Sequence, residues 1–362
     1  MTATGIATVA RQEFRLRIRA GRWKWLLGIF FAVLLGFTAL LGAGLSRVTD
    51  GIEFKGTVLY GGLMLFVLGL ALLVVPALAA QSVNGDRERG TLATLQVTRL
   101  SAAEIALGKF AAAWGTALVF LALTAPLVAY AMTQNGVPFL RVVAVTVVLA
   151  LLLGTVCAVS LWWSAVMSRT TTSGVLAYLT VFALTIGTLI AFGLATAVTA
   201  EQVTETYQNE CPPPPPGLTP EEFGCVDGPM TYTTSRARTD KTWWLLAPNP
   251  FVVLADAAPQ IPDERDDQFF NGATGVRAQD LDPLGQIGRQ VRQLREPPNA
   301  SNLGGAVPFE GPGSVDVPVR DPAPVWPAGL AMNVALGGAA LALTVRRLRT
   351  PTRNLPKGQR VA

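Results

Sequence analysis

The chain has 362 residues, of which 51% are hydrophobic and only 15% charged, and its 29 Lys and Arg exceed its 24 Asp and Glu. Soluble domains average roughly 25% charged residues, so this composition excludes an ordinary water-soluble globule. Histidine is absent, which removes imidazole acid–base chemistry, His-based triads and most zinc and haem sites.

Residues 1–24 come first in the chain and are strongly basic. Ile6, Ala10, Phe14 and Ile18 recur every four residues, with Arg11, Arg15, Arg19 and Arg22 in a stripe beside them. That pattern predicts an amphipathic helix lying on a membrane surface. An uncharged apolar run follows at 25–45, and five more lie at 58–80, 110–132, 142–166, 173–199 and 325–345. All six reach the length of about 20 residues that crosses a bilayer as a helix. A cleavable signal peptide competes for the first run, but its length and the lack of a clean A-x-A site favour a signal-anchor. Pro76 and Pro126 fall inside the second and third runs, where neighbouring helices tolerate a kink.

Between the second and third runs stands the charged stretch "NGDRERGTLATLQVTRLSAAEIALGK", residues 84–109. Gly90 is a natural stop for the helix leaving the second run. Thr91 is a candidate cap for a short turn carrying Leu92 and Leu95. Ser101 and Glu104 have the spacing of a capping box opening the third helix. The local reading is a helix–turn–helix knuckle with charges at its tip. A connector alone needs no caps, yet a solvated hairpin and a docking knuckle both fit these residues.

The basic groups fix the expected orientation. Arg11, Arg15, Arg17, Arg19, Arg22 and Lys24 precede the first run, and Arg346, Arg347, Arg349, Arg353, Lys357 and Arg360 follow the last. Six spans put both ends on one side, here the cytoplasmic one, together with the 84–109 knuckle and the short "MSRTTTS" turn at 167–173. Residues 200–324 then face out. They hold 18 of the 24 acids against 9 Lys and Arg, and 19 of the 25 prolines, including "CPPPPPG". This composition lies near the edge of disorder, so a partly ordered insertion is expected. Two patches within it read as ordered. Leu284, Ile287, Val291 and Leu294 have helical spacing behind an Asp282 cap and Pro283. "WWLLAPNPFVVLADAA" (243–258) is apolar, broken by proline and too short to span, which suggests an outward re-entrant or surface-lying element.

The expected fold is therefore an all-α polytopic membrane protein. Its parts are a surface helix at 1–24, spans one to five within 25–199 with a coupling loop at 81–109, an extracytoplasmic Pro-rich insertion at 200–324, span six at 325–345 and a basic tail at 346–362. Cys211 and Cys225, fourteen apart, are candidates either for a disulfide worth roughly 3 kcal/mol on the loop-entropy model or for two free thiols. Asp263, Glu264, Asp266 and Asp267 lack the ligand order of an EF-hand and read as a solvated loop. No catalytic residue, metal site or nucleic-acid surface is expected. A phosphate loop is missing too, since "LGK" at 107–109 lacks its first glycine and its Ser or Thr. The apolar runs carry no charge, which argues against an ion-coupled carrier and places the energy source outside this chain.

Asp86, Arg87, Glu88, Gly90, Thr91, Leu92, Leu95, Thr98, Leu100, Ser101, Glu104, Ile105, Leu107, Gly108 and Lys109 closely resemble the segment after the second span in bacterial ABC transporter permeases of the exporter class, the type 2 membrane subunits. "APNPFVVLADA" (247–257) resembles that family's outward segment before the last span. The 125-residue insertion and Arg99, where a proline is common, depart from the pattern. The resemblance implies a permease subunit that forms half of a translocation path, paired with itself or with a sister permease in the bacterial plasma membrane. It implies a separate cytoplasmic ATPase that binds ATP and magnesium, so that this chain is not itself an enzyme. It further implies that Asp86, Arg87, Glu88, Arg89, Gly90 and Thr91 dock that ATPase, with Arg11 and Arg15 contributing from the surface helix. A membrane-anchored scaffold working through residues 200–324 is the alternative.

Overall fold

The computed structural model describes residues 2–19, 21–48, 55–88, 100–134, 136–209, 228–258, 282–295 and 323–349. Its helices are α1 (Ala3–Arg19), α2 (Arg22–Val48), α3 (Lys55–Ala79), α4 (Asn84–Glu88), α5 (Ala102–Ala122), α6 (Ala125–Thr133), α7 (Phe139–Val166), α8 (Thr170–Phe182) and α9 (Thr188–Val198). After these come α10 (Thr239–Thr242), α11 (Pro250–Ala257), α12 (Pro283–Gln293) and α13 (Trp326–Leu348). Among the described residues, six helical stretches are long and apolar enough to cross a membrane: Trp23–Ser46, Lys55–Glu88, Ala102–Thr133, Phe139–Val166, Thr170–Val198 and Trp326–Leu348. The all-α polytopic class holds. It is relieved by one antiparallel ribbon of β1 (Glu201–Asn209) and β2 (Gly228–Arg236), in register from Glu201↔Arg236 to Asn209↔Gly228.

The second and fourth spans form the centre of the bundle. They are 56% and 61% buried, whereas the first and fifth are 17% and 11% buried and present apolar side chains outward. Leu63, Met64 and Leu68 of α3 meet Phe120 of α5 and Leu149, Leu152 and Leu153 of α7 in one continuous core. Trp23 and Phe30 of α2 set their rings edge-on to Phe120, at 5.6 and 4.8 Å between centroids. Pro126 does more than kink its span. The helix stops at Ala122, passes through a turn in which Leu127 and Val128 donate to the Thr124 carbonyl, and restarts as α6. Pro76 leaves α3 unbroken to Ala79, after which a turn at 80–83 leads into α4.

The bundle has two distinct ends. The proximal end carries α1, α4 and the turn at 167–169. At the distal end the start of α3 meets the loop before α7, where Gly56 N–H donates to Gln134 O and the Thr57 hydroxyl to Gly136 O. The distal end also carries the ribbon, α10, α11 and α12.

Several expectations are corrected at the distal end. Of the re-entrant and surface-lying alternatives for residues 243–258, α11 departs from the surface-lying one, with Val252, Val253, Leu254 and Ala255 all buried. Trp244 alone of that patch's tryptophans stays largely exposed. Asp282 does not cap α12 with its side chain; both its carboxylate oxygens accept from Arg141 Nη2, at 2.7 and 2.6 Å. The expectation that no span carries a charge fails at both ends, because Arg141 is inside α7 at the distal end and Lys109 is inside α5 at the proximal one. The helices begin several residues before their apolar runs, and these two cations lie in that difference. The ribbon was missed because its signal, alternating Thr and Tyr in "VTETY" and "TYTT", is β-prone but not apolar. At its base Lys241 and Arg238 bond Glu201, at 3.0 and 2.7 Å, and hold its carboxyl below the usual carboxylate range.

Buried polar side chains join the distal elements to the spans. Asp256 of α11 accepts from Arg292 of α12 at 2.5 Å and from the Val325 and Trp326 N–H groups at 2.5 and 2.7 Å, so one carboxylate caps the sixth span and fixes α12. Asn333 of α13 donates to Pro248 O, and Thr155 of α7 donates to Asn333 O. The backbones come closest at Gly329. A Cβ there would overlap the Ala247 carbonyl oxygen and lie 2.6 Å from Val253 Cγ2. Gly329→Ala should lower stability by about 3 kcal/mol, the upper end for overpacking, because a backbone carbonyl cannot swing away. Gly338→Ala, with nothing within 4 Å of its added methyl, should be close to neutral. Thermal unfolding of the two variants in the same detergent checks this.

Candidate functional site: the proximal knuckle

Ser101 is the local origin of the site. Its side chain accepts from the Glu104 N–H at 3.3 Å, while Glu104 Oε2 accepts from the Ser101 N–H and hydroxyl at 2.8 and 2.9 Å. This reciprocal box satisfies donors that a helix start leaves open. The other carboxylate oxygen reaches across the fold. Glu104 Oε1 accepts from the Thr2 N–H at 2.6 Å and its hydroxyl at 2.9 Å, pinning the start of α1 to the start of α5.

From that pin the two helices run alongside each other. A Cβ on Gly108 would lie 2.6 Å from Val9 Cβ, so only glycine allows this approach. Further along, Glu13 faces Lys109, and Arg17 donates to the Thr116 hydroxyl at 3.2 Å and the Ser82 hydroxyl at 3.1 Å. Burial pushes the Arg17 guanidinium below its ordinary value, with Glu13 opposing. The face of α1 packed on α5 is therefore Gly5, Val9, Glu13 and Arg17, beside the stripe of Ile6, Ala10, Phe14 and Ile18 expected to meet a membrane surface. Ile18 of that stripe is exposed. The helix binds its own protein on a face that includes polar groups, which a purely apolar periodicity does not register.

Lys109 is the centre of the arrangement. Its side chain is fully buried, and the ammonium donates to Glu13 Oε1, to Asp86 Oδ2 and to the Ser82 carbonyl at 3.0 Å. These contacts use all three of its protons. One cation thus holds α1, α4 and α5 together, and does so against two carboxylates.

The rest of α4 is fastened to the turn between the fourth and fifth spans. Ser164 Oγ of α7 accepts from the Val83 and Asn84 N–H groups, at 3.0 and 3.1 Å. Asn84 Nδ2 donates to Arg169 O, and Arg87 Nη1 donates to Met167 O at 3.1 Å. Glu88 Oε1 accepts from Thr170 N–H at 3.2 Å, at the opening of α8. Ser173 of α8 donates to Ala80 O at 2.8 Å. A displacement of α4 is therefore felt at once by α1 and by the second, third, fourth and fifth spans.

The expected docking residues separate into groups. Asp86 turns inward to Lys109, Arg87 is half-buried against the 167–169 turn, and Glu88 is exposed. Arg11 and Arg15 are exposed on α1 away from its packed face. Arg89, Gly90 and Thr91 lie outside the described residues, as do Cys211, Cys225 and the acidic run at 263–267. Sequence reasoning missed Glu13, Arg17, Ser82, Asn84, Ser164 and the central role of Lys109. One signal was present: Glu13 is the only acid in the first 49 residues, a lone carboxylate in a basic stretch.

The family model described as ABC-2 family transporter protein matches residues 7–211, a range that contains the knuckle and the first five spans. Among curated proteins none matches the chain.

Proposed function

Because the chain belongs to the ABC-2 transporter family, making it a multi-pass membrane permease subunit of an ABC transporter, we propose that it serves an exporter whose ATPase docks at the proximal knuckle. The observation that carries this reading is the Lys109 clamp. A loop that merely linked two spans would have no reason to be bonded simultaneously to a surface helix, to α5 and to the entry of α8. The groups exposed toward a partner are Glu88 at the end of α4, which also accepts from Thr170 N–H, and Arg11 and Arg15 on α1. On this reading the ATPase binds ATP and magnesium and performs the hydrolysis, and its closure displaces α4.

The proximal end is taken as cytoplasmic because the basic residues gather at both chain termini. The membrane is taken as a bacterial plasma membrane, and the path as one shared with a second permease, identical or related. On this reading the first and fifth spans, the least buried within the chain, offer apolar flanks either to lipid or to that second permease.

The test is purification of the tagged chain from its native membrane in mild detergent. A stoichiometric ATPase should accompany it. Glu88→Lys should cut the bound ATPase by about tenfold or more, equivalent to at least 1.4 kcal/mol, with membrane insertion unchanged. Glu88→Gln retains an acceptor for Thr170 and should keep α8 in place, so it separates docking from capping. A chain that purifies alone, or with partners held through residues 200–324, overturns the docking reading in favour of a scaffold.

A further inference from the structure

The fifth span is interrupted. Between α8 and α9, residues Ala183–Gly187 form a π-helical turn. A π-turn widens the helix and loosens its ladder, and such turns are places where helices bend. Gly187 closes it, the Thr185 hydroxyl bonds back to Val181 O in the helix before it, and the Thr188 hydroxyl bonds back to Leu184 O within it.

The two halves on either side belong to different parts of the molecule. α8 is fastened to the proximal bundle by Thr170 to Glu88, Ser173 to Ala80 O, Tyr178 to Leu73 O at 2.6 Å, and Trp163 Nε1 to the Thr180 hydroxyl at 2.9 Å. α9 instead packs mainly on the distal elements, the Trp243–Leu245 turn and α10. Its Phe192 enters the small distal core of Leu246, Ala247 and Val252. Leu189, Ile190, Leu194 and Val198 remain exposed.

Asn249 joins the halves at the turn itself. It is buried, and its Nδ2 donates both to Thr185 O at 2.8 Å and to the Thr188 hydroxyl at 2.9 Å. Its Oδ1 accepts from the Phe251 N–H at 2.9 Å and so caps α11. One amide therefore fixes the π-turn of a span with one end and starts a distal helix with the other. We propose that the Ala183–Gly187 turn is the hinge on which the fifth span bends during transport, and that Asn249 is the residue that positions it. The hinge passes movement of α4, delivered at Thr170, to the distal elements that α9 carries. Only the source of that movement rests on the docking reading; the hinge and its catch do not.

Spin labels at Val175 and Leu194, both exposed and on opposite sides of the turn, sit about 29 Å apart along a straight helix. Pulsed dipolar spectroscopy would be run on the full chain in lipid nanodiscs, with Cys211 and Cys225 changed to serine and the buried Cys157 retained. The unaltered hinge should give one narrow distance population. Asn249→Asp keeps an acceptor for the α11 cap but loses both donors to the π-turn, and it should broaden that population or add a second, shorter one. Thr188→Val, a milder change, should do the same in smaller degree. A control pair at Leu140 and Leu343, away from the turn, should not move in either variant. Distributions for Asn249→Asp and Thr188→Val that superimpose on the parent overturn the proposal. So does a change in the control pair as large as that across the turn in both variants. Adding the co-purified ATPase with ATP-magnesium and vanadate separates the two readings. A bent population in the parent supports both. No response in the parent, with Asn249→Asp still bending, removes the docking reading and leaves the hinge. Normal nucleotide-dependent ATPase coupling with no bend removes the hinge and leaves the docking.

Discussion

Lys109→Met should unfasten the proximal end, lowering stability by about 3–5 kcal/mol, the range for removing one partner of a buried ion pair. Methionine matches the length and much of the volume of lysine, so packing against α5's neighbours changes little and the loss is electrostatic. What remains is Glu13 and Asp86 without the ammonium that bridges them, and a Ser82 carbonyl without that donor. The carboxylates are only partly exposed, at 17% and 14%, so water compensates incompletely. The triple variant Glu13→Gln, Asp86→Asn, Lys109→Met removes the charges together and should recover most of the lost stability, because amides can bond each other across the gap. The recovery would not extend to function. If α4 and α1 must move as one body, the triple variant should still purify with the ATPase but hydrolyse ATP without coupling to the spans. Thermal unfolding, ATPase retention and nucleotide-dependent span movement, measured on the same three samples, separate these outcomes. A single variant as stable as the parent would show that the buried ammonium is not what holds the knuckle.

The six spans were legible because a bilayer-length apolar run is a local property. The Ser101–Glu104 box was legible for the same reason, being three residues apart. Neither required knowledge of the fold. Glu104's second role, bonding Thr2, was not readable, because those residues are 102 apart and no pattern links them. Lys109 is legible as part of a motif but not as a clamp, because its partners lie 96 and 23 residues away. The π-turn has no compositional mark in "ALTIG", and the Asn249 amide that bonds it lies 64 residues away. The helix α1 was legible from its periodicity, but its packing against α5 was not, since that face uses a glycine, a glutamate and an arginine alongside Val9. Local order is written in the sequence here, whereas the polar contacts that let one element move another depend on the folded bundle.

The strongest test of how the distal end is held concerns Arg141 and Asp282. Both are essentially fully buried, 1% and 0% exposed, and they join α7 to α12 across 141 residues of chain. The geometry is incomplete. A single guanidinium nitrogen, Nη2, serves both carboxylate oxygens, while Arg141 Nε and Nη1 and the nearby Tyr60 hydroxyl have no hydrogen-bond partner among the described residues. Each buried polar atom left in that condition costs about 1–3 kcal/mol. The pair is then worth little net, yet breaking it is expensive. Asp282→Asn should destabilise by about 3–5 kcal/mol, because the arginine stays buried without its counter-charge. Arg141→Met with Asp282→Leu should be neutral or more stable than the parent, by up to about 4 kcal/mol, since an apolar contact replaces an imperfect ionic one. The structural consequence is local. Leu284, next to Pro283 and fully buried against the start of α3, should become reactive as Leu284→Cys in the Asp282→Asn background and stay protected in the double variant. Equal maleimide labelling of Leu284→Cys in both backgrounds, or a double variant as unstable as the single, would mean that shape and not charge seats α12. If the prediction holds, the ion pair persists in this chain for something other than stability. Its length and direction fix one register of α12 against α3 and α7, and an apolar seam of the same strength would allow the helix to slide.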